Sequence, residues 1–537
     1  MSTDWEVKFP LATVRALNRE LSNHTPLLLD AGTGTHANKQ PLFKFELGWL
    51  LRDGFYDLVA NVWEKEAKGS TGMERWQNKI HRLRQFLRGW AKNIIGAYKI
   101  EKARLIEKAD ELDKKAEVQI LTKQELDLKN FLKNRLAHLL REEEIKWYQR
   151  AKTRRIMEGD RNTKYYHMIA NGKHRKTKIF QLEQEEGVIK GDVQLKKYIT
   201  NYYKDLFGSP KENNFSMNES EKEDIPQVSY EENELLTKSF SEEEVKHAIL
   251  HMEHNKAPGP DGFPAEFYQV FWEVIKNDLM AIFRDFYDGK LPLHSLNFGI
   301  ISLLPKQKEA NRIEQYRPIC LLNVSFKIFT KVMANRIALV AQKVIRPSQT
   351  TFLPGRNIME GVVILHETIH EMHRKRKNGV ILKLDFEKAY DKVDWGFLQQ
   401  ALRMKGFSPM WCKWIDQIVN GGSVAVKVND DIGNFFQTKK GLRQGDPLSL
   451  ILFNLVADML AILIQRANDQ GKFEGVIPHL IDNGLSILQY ADDTILFMEH
   501  DLEAAKNLKL VLSTFEKLSG LKINFHKSEL FCYGKAK

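Results

Sequence analysis

Ile487-Leu-Gln-Tyr490-Ala491-Asp492-Asp493-Thr-Ile-Leu-Phe497 sets two β-forming runs around a very short polar centre. The pattern reads as a hairpin with two adjacent carboxylates at its tip. Like charges that close raise each other's proton affinity unless a cation sits between them. Upstream, Gly379-Val-Ile-Leu-Lys-Leu-Asp385-Phe-Glu-Lys-Ala-Tyr390-Asp391 carries an apolar run, 380–384, broken only by Lys383. It reads as a largely buried strand that delivers Asp385 to a rim, because a lone carboxylate is not ionised inside a core. Asp385 brought beside Asp492 and Asp493 would make a divalent-metal site, and all-oxygen ligation favours Mg²⁺ or Mn²⁺. Each piece alone is more often structural; the pair of acid-tipped strands carries the reading.

Two further stretches fit around these acids. Gly441-Leu-Arg-Gln-Gly-Asp446-Pro-Leu-Ser449 is a glycine-bearing turn that leads into an apolar helix reaching Ile464. Glycine lets backbone approach a flat ligand, and Arg443 and Gln444 carry donors for phosphate or base edges. Residues 300–304 and 319–322 read as a hairpin whose polar loop is bracketed by Lys306 and Arg317. Two cations so placed would clamp a triphosphate. The longest oily stretch, 448–464, is broken by Asn454 and Asp458, which predicts a buried helix rather than a membrane span, and no membrane partner is expected.

At 537 residues the chain exceeds one ordinary core, so two or more units are expected. A hydrophobic share of 43% excludes wholesale disorder. Cys320, Cys412 and Cys532 stand far apart, which excludes a disulfide framework and a zinc knuckle and points to a reducing, intracellular compartment. The net charge of +11 is concentrated: 146–178 holds eleven Lys/Arg against Glu158 and Asp160. A polyanionic partner follows. Residues 1–60 read as the end of a larger unit and 75–208 as a helical basic connector. Within the connector, Thr122 and Glu125 form a capping box that separates two long helices. Leu128, Phe131, Leu132, Leu136, Leu139 and Leu140 recur at helical spacing after it. Residues 209–238 read as a polar linker. From 239 to 537 helices alternate with short strands, an α+β pattern that opens on a second capping box at Ser241 and Glu244.

In this order the motifs resemble the reverse transcriptase of plant non-LTR (LINE-type) retrotransposons over about 240–528. They are Asn255-Lys-Ala-Pro-Gly-Pro-Asp-Gly262, Tyr316-Arg-Pro-Ile319, Pro354-Gly-Arg356, Leu384-Asp-Phe-Glu-Lys-Ala-Tyr-Asp391, Arg443-Gln-Gly-Asp-Pro-Leu-Ser449 and Tyr490-Ala-Asp-Asp493. The resemblance implies right-hand polymerase fingers and palm over 239–537, preceded by the connector and a remnant of an endonuclease domain. It implies an RNA-directed DNA polymerase whose Asp385, Asp492 and Asp493 hold two Mg²⁺ ions, with Mn²⁺ as a substitute. One ion would activate a primer 3′-hydroxyl and the other would steady the triphosphate and leaving pyrophosphate. Lys306 and Arg317 would hold the incoming dNTP, and Tyr390 would be the steric gate against a ribose 2′-hydroxyl. Phe386, Arg443, Gln444 and Gly445 would complete the nucleotide site, and Lys527 falls where the family has a later palm lysine. An RNA template and a DNA primer or target are the implied partners.

Leu21-Ser-Asn-His24-Thr-Pro resembles the terminal Ser-Asp-His strand of the family's endonuclease domain, with His24 as the catalytic histidine. Asn23 stands where an aspartate orients that histidine, so no endonuclease activity is expected. The resemblance also implies a chain truncated at both ends, its thumb missing. Residues 143–182 resemble the family's connector, where Trp147, Tyr148, Tyr165 and Tyr166 interleave with cations. Arg154, Arg155, Arg175 and Lys176 are the candidate nucleic-acid contacts there. Ser449-Leu450 stands where the family has Ser-Pro. Two other readings stay open: a catalytically inactive retroelement fragment that only binds nucleic acid, and an RNA-dependent RNA polymerase, which Ala491 and Tyr390 disfavour.

Overall fold

The capping signals mark where helices begin. In the computed structural model, which describes residues 13–16, 27–30, 42–151, 172, 177–210, 215–481 and 484–534, the helix Gly72–Val118 starts at Thr71. The Thr71 hydroxyl accepts from the Glu74 amide at 3.2 Å. The next helix, Lys123–Ala151, starts at the expected capping box: Glu125 N–H donates to the Thr122 hydroxyl at 3.3 Å, and the Glu125 carboxylate accepts from the Thr122 amide at 2.9 Å. Leu105, Leu132 and Leu139 form the buried seam between the two helices, with Leu136 against it. Leu128 and Phe131 remain exposed, because a two-helix contact covers a narrower stripe than the apolar spacing offers.

The chain divides into two compact units, Met1–Gln181 with Ile249–Asp285, and Leu182–Ala248 with Phe286–Lys537. This departs from the boundaries expected at 60, 208 and 239. In the first unit, large aromatics set the division. Phe45 lies 5.6 Å from Phe267 and 6.2 Å from Phe263, and Phe55 lies 6.2 Å from Phe271. Trp63 Nε1 donates to Asp278 at 2.8 Å. Full burial of one such ring contributes roughly 1.5–3 kcal/mol, so the stretch 249–285 is held by the aromatic core after residue 42.

The second unit is built on two sheets. One has the order Phe436–Gln437, Ser423–Val428, Phe298–Pro305, Tyr316–Leu322, with Asp431–Ile432 paired to Ser423–Val428. Phe298–Pro305 and Tyr316–Leu322 are the antiparallel hairpin expected from the sequence. The other sheet is wholly antiparallel, in the order Ile487–Tyr490, Asp493–Glu499, Gly379–Leu384, Glu529–Tyr533. Helix Pro447–Asp469 packs against the helices Val324–Val344, Trp395–Met404 and Leu502–Ser519. By length and hydropathy it is long and apolar enough to cross a membrane, yet 83% of its most apolar window is buried in protein, as the sequence reading expects. Asp446 caps it and Pro447 occupies its first turn, so Leu450 in place of proline leaves the helix start intact.

The 209–238 stretch departs from a linker. Met217, Ile225 and Val228 are buried, and Tyr230–Thr237 is a helix with a complete capping box at Ser229 and Glu232. Its acids have distant partners: Glu219 pairs with Arg403 at 2.6 Å and Asp224 with Arg466 at 2.7 Å. Part of the polar composition thus serves ion pairing within the second unit.

Candidate active site

The two acid-bearing segments meet by strand register. Tyr490 pairs with Asp493 across the hairpin, leaving Ala491 and Asp492 as a two-residue turn. Ala491 has φ +53°, a left-handed conformation at the first central position that tight hairpins use. Thr494 in turn stands opposite Leu384, so Asp385 leaves its strand where Asp493 enters the neighbouring one. Adjacent strands lie about 4.8 Å apart. The Asp385 backbone is pinned on its other side. Its carbonyl accepts from the Asn524 amide at 2.8 Å and its amide donates to the Ser528 hydroxyl at 3.3 Å.

The electrostatics match this convergence. Partial enclosure pushes the Asp492 carboxyl above its usual range, the charges of Asp493 and Asp385 push the same way, and Arg317 opposes them. Among the described residues no three Asp, Glu, His or Cys side chains close into a complete metal cage. Mg²⁺ does not require one: it commonly takes one or two carboxylates from protein and the rest of its octahedron from phosphates and water. Two mutually repelling carboxylates at a solvent-facing rim fit such an ion.

Facing the acids is a group of cations. Lys306 follows the strand Phe298–Pro305, and Arg317 sits opposite Leu304 on its partner. Burial and the repulsion of Lys527 and Arg317 hold the Lys306 ammonium below its usual range, while Asp385 and Asp391 oppose them. Lys306 also donates to the Glu314 carbonyl at 3.0 Å. The structure thus brings Lys306, Arg317 and Lys527 to the side of Asp385.

The third wall comes from the glycine-bearing turn. Gly441, at φ +87°, packs its α-carbon against the Asp391 carbonyl, where a Cβ would collide. Leu442 N–H donates to the Tyr390 carbonyl at 2.6 Å, and the Gln444 carbonyl accepts from the Cys320 amide at 3.0 Å. Gln444 and Gly445 therefore border the strand that carries Arg317. Arg443 departs from the ligand-facing role expected of it: its guanidinium bonds Asn297 and lies 5.7 Å from the Phe326 ring centre. Tyr390 stacks on Phe453 with ring centres 4.3 Å apart and planes at 24°. Phe386 is turned inward, 6.3 Å from the Phe515 ring, so its backbone rather than its ring borders the site. A packing partner 129 positions downstream has no signature in the motif itself.

Lys388 and Asp391 carry charge that the sequence reading passed over. Lys388 has φ +49° and places its ammonium 4.1 Å from the Tyr202 ring centre. Burial lowers its proton affinity while Asp391 opposes that shift. Asp391 is buried, and burial raises its carboxyl against the pull of Lys388, Lys306 and Lys392. Their separation of three residues, across the start of the short helix Ala389–Lys392, was the available signal. His24, Arg154, Arg155, Arg175, Lys176, Tyr165 and Tyr166 lie outside the described residues. Two cations of the basic window are engaged nearby: Lys146 and Arg150 both pair with Glu46, at 3.0 Å.

Residues 304–536 match the family described as reverse transcriptase (RNA-dependent DNA polymerase). The uncharacterized 149 kDa protein of transposon TX1 from Xenopus laevis is 27% identical over 528 residues, 96% of this chain and 39% of that protein. A retrovirus-related Pol polyprotein from the type-1 retrotransposable element R2 of Nasonia vitripennis is 28% identical over 243 residues, 45% of this chain and 22% of that protein. The polyprotein from the type-2 element R2DM of Drosophila melanogaster is 26% identical over 273 residues, 51% of this chain and 24% of that protein. The chain spans well under half the length of each. Among solved structures, apo telomerase from Candida tropicalis truncated from its C-terminal domain aligns over 45% of this chain and 51% of that chain. The identity is 14% and the TM-score 0.34, below the level that marks a shared fold.

Proposed function

We propose that this chain, whose residues 304–536 form a reverse transcriptase domain of the non-LTR retrotransposon kind, is the RNA-directed DNA polymerase of a LINE-type element, of the plant type its motifs resemble. It would transfer a nucleotide from a dNTP to a primer 3′-hydroxyl on an RNA template, with the second unit supplying fingers and palm. The carrying observation is the ladder that sets Asp385 beside Asp492 and Asp493 inside the matched stretch.

Asp385 and Asp492, with Asp493 beside them, would hold two Mg²⁺ ions, which acidify the primer hydroxyl and neutralise charge developing on the leaving pyrophosphate. The chain's own contribution is positioning and charge. Lys306, Arg317 and Lys527 repel one another when alone, and a triphosphate laid among them converts that repulsion into binding. The Tyr390 ring, backed by Phe453, stands as the wall beside the sugar. Gln444 and Gly445, tied to Cys320, would border the nascent base pair. Extension of a DNA primer annealed to RNA, by the full chain with dNTPs and Mg²⁺, tests the reading. A chain that binds the hybrid yet never extends it with Mg²⁺ or Mn²⁺ would be the nucleic-acid-binding fragment instead.

A further inference from the structure

We propose that Gln349 is a positioning residue that clamps the tip of the acid-bearing hairpin and so sets Asp492 for metal binding, an inference that rests on the polymerase reading above. Gln349 is fully buried. Its Oε1 accepts from the Ala491 amide at 2.9 Å, and its Nε2 reaches the Ala491 carbonyl at 3.4 Å. One side-chain amide thus holds both polar groups of the residue that precedes Asp492. Ala491 is also the residue at φ +53°, a conformation that costs an L-residue energy and persists where the surroundings enforce it. The Ala491 carbonyl belongs to the peptide plane leading into Asp492, so the clamp fixes the direction from which that carboxylate leaves the turn.

Gln349 is itself rigidly held. Residues 348–350 add a short parallel bridge beside the hairpin: Thr350 N–H donates to the Gln489 carbonyl at 2.9 Å and Gln489 N–H to the Ser348 carbonyl at 2.7 Å. Arg356 gathers the carbonyls of Gln342, Ile345, Arg346 and Gln349 at 2.5–3.0 Å. Asn454 on the helix Pro447–Asp469 donates to the Thr351 carbonyl at 2.8 Å. The Pro354-Gly-Arg356 motif therefore acts at one remove: Arg356 builds the loop and Gln349 is the loop's contact with the acids. A displacement of about 1 Å at a reacting group costs on the order of 10²-fold in rate, so the clamp has leverage.

The test uses the full chain with Gln349→Met, which keeps volume and removes both hydrogen bonds. Hydrogen exchange of the Ala491 amide should accelerate at least about tenfold while the strand Gly379–Leu384 is unchanged. In RNA-templated extension, kcat should fall about 10–100-fold, the Mg²⁺ concentration for half-maximal rate should rise, and the dNTP KM should hold. Gln349→Glu, neutral when buried and able both to accept and to donate, should restore most of the rate. Unchanged Ala491 exchange together with an unchanged Mg²⁺ requirement would overturn the clamp and leave the polymerase reading standing. Wild type with no extension would strike that reading instead, and the exchange measurement would still decide the clamp. If Gln349→Met does not fold, wild-type exchange decides: an Ala491 amide as labile as an open turn amide overturns the proposal.

Discussion

Leu384 stands directly opposite Thr494 in the antiparallel ladder, and the arrangement of acids follows from that register. Ile381 faces Phe497 three steps along, both inside the core at 4% and 0% exposure. A slip of one residue would send those side chains to the opposite face, already filled by Leu384, Leu496 and Met498, and carry Asp385 away from Asp493. Packing on the faces of the sheet therefore fixes the geometry of charges at its rim.

Tyr390 separates size from hydrogen bonding. Its hydroxyl is buried without a partner and its proton is held tightly, by burial first and then by Asp492. Tyr390→Phe should leave stability within about 1 kcal/mol or raise it, because an unsatisfied buried hydroxyl is costly. Tyr390→Val removes the ring stacked on Phe453 and should ease ribonucleotide incorporation at least about tenfold. Single-nucleotide insertion with matched dNTP and NTP measures both variants.

Lys405 and Asp458 form an ion pair with both side chains at 0% exposure, and the ammonium also donates to the Val344 carbonyl at 2.6 Å. Asp458 accepts in addition from the Arg346 amide at 2.9 Å. Lys405→Met alone should cost about 3–5 kcal/mol, since it strands a buried carboxylate, and Lys405→Met with Asp458→Leu should recover much of that. Urea unfolding of the three variants and wild type forms the double-mutant cycle.

Asp391 predicts a pH dependence of stability. Burial raises its folded-state carboxyl to about 7, above the unfolded value near about 4. Between those values the folded chain holds a proton that the unfolded chain has lost, so this group's contribution is full below about pH 4 and is lost as pH rises through about 7. The slope is at most about 1.4 kcal/mol per pH unit. Asp391→Asn should flatten it and be the more stable chain at pH 8, in unfolding curves taken from pH 4 to 8.

The local pieces of this site were legible in the sequence and the long-range ones were not. Alternation and capping are short-range, so the hairpin at Asp492, the strand before Asp385 and the Thr122 box follow from neighbouring residues. The unit boundary depends on Phe45 meeting Phe267, a contact across most of the first unit with no local signature. Polar residues at 209–234 read as solvated because their partners, Arg403 and Arg466, are remote in sequence. Arg443 offers donors that suit a ligand, and only the fold reveals Asn297 as the group that receives one of them. Gln349 is a lone glutamine in a loop, and its role exists only once Ala491 lies beside it.

The cations facing the acids give a prediction of their own. Arg317→Ala removes one of the charges crowding Lys306. It should raise the dNTP KM about tenfold or more, with a smaller change in kcat, because the lost contact binds the triphosphate before and during reaction alike. Steady-state extension at varied dNTP separates the two constants.

Primed-RNA extension by wild type and by Asp492→Asn, at matched thermal stability and matched hybrid binding, tests the account most directly. A polymerase site built on Asp385, Asp492 and Asp493 predicts Mg²⁺-dependent extension by wild type and a loss of at least about 10³-fold in the variant. Extension that survives in Asp492→Asn at the wild-type rate would contradict it.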